Sequence, residues 1–145
     1  MSEADNRVLV EQLYDALNAH DLDRLAKLYD DSYLLECDSF PAPIRGPEGA
    51  KRTTATYLTA FPDLQFEILQ MIATGDHVVT RWRATGTNNG EFNGNPPTGR
   101  RVCINGCSVS EIRNGRMVKS VMYFDQLSLL RPLAGANEQA ATAGS

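Results

Sequence analysis

Leu9, Leu13, Ala16 and Leu17 recur at i, i+4, i+7 and i+8, which places them on one face of a helix. Ser2 with Asp5 three residues on predicts a capping box at its start. Asp21 is placed to cap a short second helix whose Leu22, Leu25 and Leu28 share a stripe. Tyr33–Cys37 reads as a short strand. Pro47 suits the first turn of a third helix, with Ala50, Thr53, Thr54, Tyr57, Leu58 and Phe61 facing inward until Pro62 stops it. From Leu64 the period changes to two, and strands are predicted at Leu64–Thr74, His77–Thr87, Val102–Ile112 and Arg116–Gln126. Gly75-Asp76, the long segment Gly86–Arg101 and Asn114-Gly115 separate them, the last being a strong hairpin signal.

Helices followed by an antiparallel meander with one early strand define an α+β fold. Residues 1–135 form a single domain on this reading, and the small polar residues 136–145 form a disordered tail. The helices can cover only one face of the sheet, yet the strands carry apolar residues on both. Ile104 lies on one face and Cys103, Cys107 and Val109 on the other, while Val78 and Trp82 oppose Val79. A second apolar face needs cover, so a homodimer packed through the sheet is expected.

Composition narrows the partners. A net charge of −4 with no basic cluster argues against nucleic acid and against an anionic membrane surface. The acidic N-terminus is unlike a signal peptide, and no apolar run approaches the roughly 18 residues of a membrane span. Three cysteines without CxxC spacing read as reduced thiols of a cytoplasmic protein. With two histidines and Cys103-x3-Cys107 on one strand face, no metal-ligand set of usual spacing exists, and no glycine motif for a nucleotide cofactor is present.

The segment Gly86–Arg101, GTNNGEFNGNPPTGRR, is longer than the roughly 12 residues a structureless connection usually spans, and its turn chemistry favours a fixed shape. Together with Gly46-Pro47-Glu48-Gly49, Ala60-Phe61-Pro62-Asp63-Leu64 and the closing Tyr123-Phe124-Asp125-Gln126-Leu127, it resembles the SnoaL-like polyketide cyclases, or ester cyclases, of the nuclear transport factor 2-like superfamily. The likeness covers roughly residues 8 to 135. It implies a cone-shaped fold in which the sheet curls around three N-terminal helices and leaves a pocket at the open end. It also implies cofactor-free acid/base chemistry on a hydrophobic, carbonyl-bearing, polyketide-like and polycyclic small molecule, by cyclisation or isomerisation through an enolate.

On that resemblance Asp125 is the catalytic acid/base group. Its neighbours Met122, Tyr123 and Phe124 suggest a desolvated carboxyl with a raised pKa. The alternative is a carboxylate that caps the turn Gln126–Leu130. Trp82, Ser108, Asn88, Tyr33, Phe61 and Met122 are the candidate substrate contacts, with residues 88–98 shaping the pocket mouth and Asn88 a polar group at its rim. Trp82 could equally be core, and Tyr33 and Phe61, like Tyr14 and Tyr57, read as core before they read as contacts. The chain also departs from its relatives. Ser108 and Gly106 stand where those cyclases carry a histidine and a glutamine, and Asn88 where many read Thr-His, so an anthracycline-type site is not implied. Glu36 and Asp38 lie near where ketosteroid isomerases of the superfamily keep their base, with Cys37 at the aligned position; Asp38 reads as surface. Arg81 and Arg83 are expected to pair across the sheet with Glu67 or Glu111. Isomerase or hydroxylase chemistry in the same pocket, and a non-catalytic binding or dimerisation module, remain the alternative functions.

Overall fold

The computed structural model describes residues 2–134, so the disordered tail expected at 136–145 lies outside the described residues. The order is α1 (Glu3–Asn18), α2 (Leu22–Ala26), β1 (Tyr29–Glu36), β2 (Ile44–Arg45), α3 (Gly46–Ala60), β3 (Gln65–Thr74), β4 (His77–Thr87), β5 (Arg101–Arg113), β6 (Arg116–Phe124) and α4 (Gln126–Leu133). The caps follow the local chemistry. Ser2 and Asp5 form the reciprocal capping box of α1, Asp21 accepts from the Arg24 amide to start α2, and Pro47 occupies the first turn of α3.

The strands form one curved six-stranded sheet in the order β2-β1-β6-β5-β4-β3. β3 to β6 make the antiparallel meander with the Gly75-Asp76 and Asn114-Gly115 turns, and Asn114 adopts the left-handed conformation such a turn demands (φ 51°). β1 joins β6 in parallel. It also begins four residues before the expected Tyr33. The polar run Asp30-Asp31-Ser32 hides the strand in the sequence; Tyr29 and Tyr33, four residues apart, both reach the core, and the pairing with β6 shifts register between Tyr29 and Leu34. β6 stops at Phe124 because Asp125 turns the chain into α4, an extra helix where only a turn was expected.

The inner sheet face and the helices share one core, in which Val10, Leu25, Phe61, Val78 and Ile112 are fully buried. Burial alternates along β4 from Val78 through Thr80, Trp82 and Ala84, so odd-numbered positions there face outward. On the outer face Arg83 pairs with Glu67 at 3.6 Å, as expected. Arg81 instead donates to the Gln70 side chain at 3.1 Å, and Glu111 is taken by His77 and Arg113. No described helix is long and apolar enough to cross a membrane.

Candidate active-site cavity

A cavity of about 180 Å³ lies between the helices and the inner sheet face. Its wall is mostly apolar: α1 supplies Leu13 and Leu17, α3 supplies Ala50, the middle strands supply Ala84, Val102 and Ile104, and Leu129 of α4 closes one side. Trp82, Ser108, Tyr33, Phe61 and Met122, five of the six candidate contacts, line it together. Tyr14, Tyr29, Tyr57, Thr53, Thr54, Ser110 and Ser120 add hydroxyls. Of these, Tyr29, Ser110 and Ser120 escaped the sequence reading. For the two serines the available signal was a small polar residue at an inward strand position, which is too short to fill a core and therefore leaves space.

Trp82 and Ser108 are neighbours on adjacent strands, and the indole Nε1–H donates to Ser108 Oγ at 3.1 Å. The ring can lie there because residue 106, directly across the ladder, is glycine. A Cβ at Gly106 would come within 2.2 Å of the indole. The missing side chain at Gly106 is thus replaced by the Trp82 ring. The Tyr14 phenol also interacts with Ser108, and burial holds it above its ordinary pKa. A second group forms where Ser110 Oγ lies 3.3 Å from Ser120 Oγ and Ser120 donates to Met117 Sδ at 3.2 Å. Tyr33 interacts with this Ser120, and burial pushes its phenol up to about 12, as it does that of Tyr57. All these hydroxyls are therefore neutral at physiological pH. Among the described residues no aspartate, glutamate, histidine, lysine, arginine or cysteine lines the cavity.

Asp125 departs from expectation. Its side chain is exposed and absent from the cavity wall. It caps α4, accepting from the Ser128 hydroxyl and from the Ser128 amide at 3.1 Å. These hydrogen bonds, the hydroxyl's first, hold the carboxyl below its ordinary pKa, so the raised pKa expected from desolvation is corrected to a lowered one. The apolar neighbours misled because Met122 and Phe124 turn inward while Asp125 is the first residue beyond the strand.

Asn88 also differs from the expected rim contact. It is 1% exposed and every hydrogen-bonding group of its amide is engaged. Nδ2 donates to the carbonyls of Ala60 (3.2 Å) and Gly90 (3.0 Å), and Oδ1 accepts from the amide (2.8 Å) and hydroxyl (2.9 Å) of Thr98. Asn88 thus ties the long loop to the end of α3. Gly90 completes the seam, since a Cβ there would lie 1.7 Å from the Thr59 carbonyl oxygen. No residue of 88–100 lines the cavity, which corrects the mouth assigned to 88–98. Phe92 instead packs behind Tyr57 and Phe61, with ring centroids 5.6 and 6.2 Å away. Glu36 and Asp38 are off the wall too; Glu36 faces Lys119 at 3.6 Å and Asp38 is exposed. Among the described residues no cluster of three or more His, Cys, Asp or Glu is placed to hold a metal.

The profile of the SnoaL-like polyketide cyclases matches residues 7–133. Among solved structures, IdmH of Streptomyces antibioticus, a proposed polyketide cyclase, is 30% identical with a TM-score of 0.77, covering 89% of this chain and 98% of its own. AclR of Streptomyces galilaeus, a proposed hydroxylase, is 27% identical with a TM-score of 0.83 over 92% of this chain and 98% of its own. At 15% identity and a TM-score of 0.73, a protein of Catenulispora acidiphila with a ketosteroid isomerase-like fold covers 90% of this chain and 95% of its own, sharing the fold. Comparison with curated proteins gives no match.

Proposed function

The chain belongs to the SnoaL-like polyketide cyclase family, and from its cavity we propose that it binds a hydrophobic, carbonyl-bearing, polyketide-like molecule and promotes its ring closure or isomerisation without a cofactor. The observation that carries this reading is an apolar cavity whose polar groups are neutral hydroxyls and one indole N–H, with Tyr14, Ser108 and Trp82 converging at one place. Enclosure holds a flexible chain folded so that the carbons to be joined stay near each other, which lowers the entropic part of the barrier. The Tyr14–Ser108–Trp82 group donates to the oxygen of the attacked carbonyl and stabilises the negative charge that grows there.

Proton removal next to the second carbonyl needs a base, and the lining supplies none that ionises near neutrality. Asp125 is the carboxylate that family resemblance offers. To serve, its carboxyl must leave Ser128 and approach the cavity, which the neighbouring α4 borders through Leu129. The bare lining and the exposed Asp125 favour a second reading, a module that binds the molecule without transforming it. A linear aryl diketone that closes by intramolecular aldol reaction separates the two. On the first reading, wild-type protein speeds closure, and the Tyr14→Phe, Ser108→Ala double variant slows it by about 100-fold, the usual worth of an oxyanion donor. Saturable binding with no gain in closure rate would leave the binding module.

A further inference from the structure

The cavity also bears on the size, charge and polarity of its ligand, in an inference that rests on the functional reading above. We infer that it selects an uncharged molecule of one or two rings whose single carbonyl oxygen seats against Tyr14 and Ser108, and that it rejects four-ring and anionic molecules.

Size comes first. A cavity of about 150 Å³ is filled by benzene, and pockets for drug-sized ligands start at about 300 Å³. At about 180 Å³ this cavity is close to the smaller case. Four fused rings exceed it unless much of the molecule stays outside, which contradicts the polycyclic ligand that resemblance implied.

Charge follows from the wall. An anion entering it would shed water and meet no lysine, arginine or histidine.

Polarity follows from counting protons. The Trp82 N–H is spent on Ser108 Oγ. Ser108 and Tyr14 then hold two hydroxyl protons between them and share one mutual contact. In either direction of that contact, at least one proton is left to donate to a ligand. At the other group the Ser120 hydroxyl contacts Ser110 Oγ and Met117 Sδ with Tyr33 beside it, so these hydroxyls are engaged with one another.

Trp82 is the sole tryptophan of the chain and forms part of the wall, so its emission reports occupancy directly. The probes are 1-tetralone, its hydrocarbon counterpart tetralin, 1-naphthoate and a four-ring steroidal ketone, each titrated into the full chain at neutral pH. We expect saturable binding of 1-tetralone, tetralin weaker by about 2–10-fold, the worth of one neutral hydrogen bond, and no saturable binding of the other two. In the Tyr14→Phe, Ser108→Ala double variant the ketone-to-hydrocarbon ratio should narrow. Equal affinity for ketone and hydrocarbon, tighter binding of the steroid or of naphthoate, or a ratio untouched by the double variant overturns the inference. The assay contains no reacting substrate. Selective binding without catalysis in the diketone assay would therefore sink the enzymatic reading alone, and catalysis without this selectivity would sink the inference alone.

Discussion

At the scale of the single residue, Asp125 has two incompatible jobs, and substitution separates them. As a cap, it is replaced well by asparagine, which also accepts from the Ser128 amide, and poorly by alanine. Asp125→Ala should therefore lower the melting temperature by a few degrees while Asp125→Asn nearly preserves it. As a general acid/base, either change would slow diketone closure by about 100-fold or more, because asparagine exchanges no proton at neutral pH. On the binding-module reading, melting should respond to alanine alone and closure with Asp125→Asn should stay within a few-fold of wild type; on the enzymatic reading, Asp125→Asn should lose closure while it keeps its melting temperature. A large rate loss in a fully folded Asp125→Asn would return the carboxylate to catalysis. Gly106 makes a related point at the same scale. The glycine there makes room for the indole laid across the strand, which is invisible until Trp82 and Gly106 are known to face each other.

At the scale of the element, the long loop is a buttress rather than a mouth. Asn88 fastens it to α3, and Phe92 backs the two aromatic rings that form part of the cavity wall. Asn88→Ala would leave the Thr98 amide without its acceptor, at about 1–3 kcal/mol for such a loss, while the Ala60 carbonyl keeps the Gly90 amide. Denaturant unfolding should show that loss with an unchanged slope, and 1-tetralone affinity should fall less than stability does. An Asn88→Ala protein of wild-type stability that has lost ligand binding would restore the rim contact instead. Helix α4 belongs to this scale as well. Its Leu129 is buried against the cavity while Leu127 and Leu130 are exposed.

At the scale of the whole molecule, the outer sheet face still awaits cover. Ile72, Val79, Val109 and Val121 lie side by side across β3 to β6 in direct register, and Ile72 is 50% exposed. A row of that kind suits a second copy of the chain, and we predict a dimer of twice 16.0 kDa in sedimentation at micromolar concentration. Val109→Lys should give a folded monomer. A wild-type monomer at those concentrations would remove the dimer. Stability against alkali is a second property of the whole. The phenols of Tyr33 and Tyr57 are pushed from 10.0 up to about 12, and those of Tyr14 and Tyr29 are raised too, all chiefly by burial. A raised pKa in the fold means stability that is complete below pH 10 and is lost as the pH climbs toward 12. Tyrosinate absorbance and helical circular dichroism should therefore change together in that window. Ionisation of these four residues at pH 10 with the helices intact would contradict their burial.

The element order was legible because caps, turns and hydrophobic period are local: Ser2 with Asp5, Pro47, Asn114-Gly115 and the change to period two each act within a few residues. Resemblance added the curl of the sheet and the candidate contacts, and period two puts Trp82, Ser108 and Met122 of that set on strands whose faces alternate. What the sequence could not decide was anything that depends on a distant strand. β1 pairs with β6 across some 80 residues of chain and forms through a polar run that no local pattern marks as strand. Asp125 carries the same neighbours whether its carboxyl enters the cavity or caps a helix, and the choice is made by where β6 ends and by the reach of Ser128. Asn88 has the same side chain as rim or seam; only the packing of Thr98 and Ala60 around it engages all its hydrogen-bonding groups. The cavity's size and its bare, neutral wall are likewise tertiary facts, since a void is the part of the fold to which no residue corresponds.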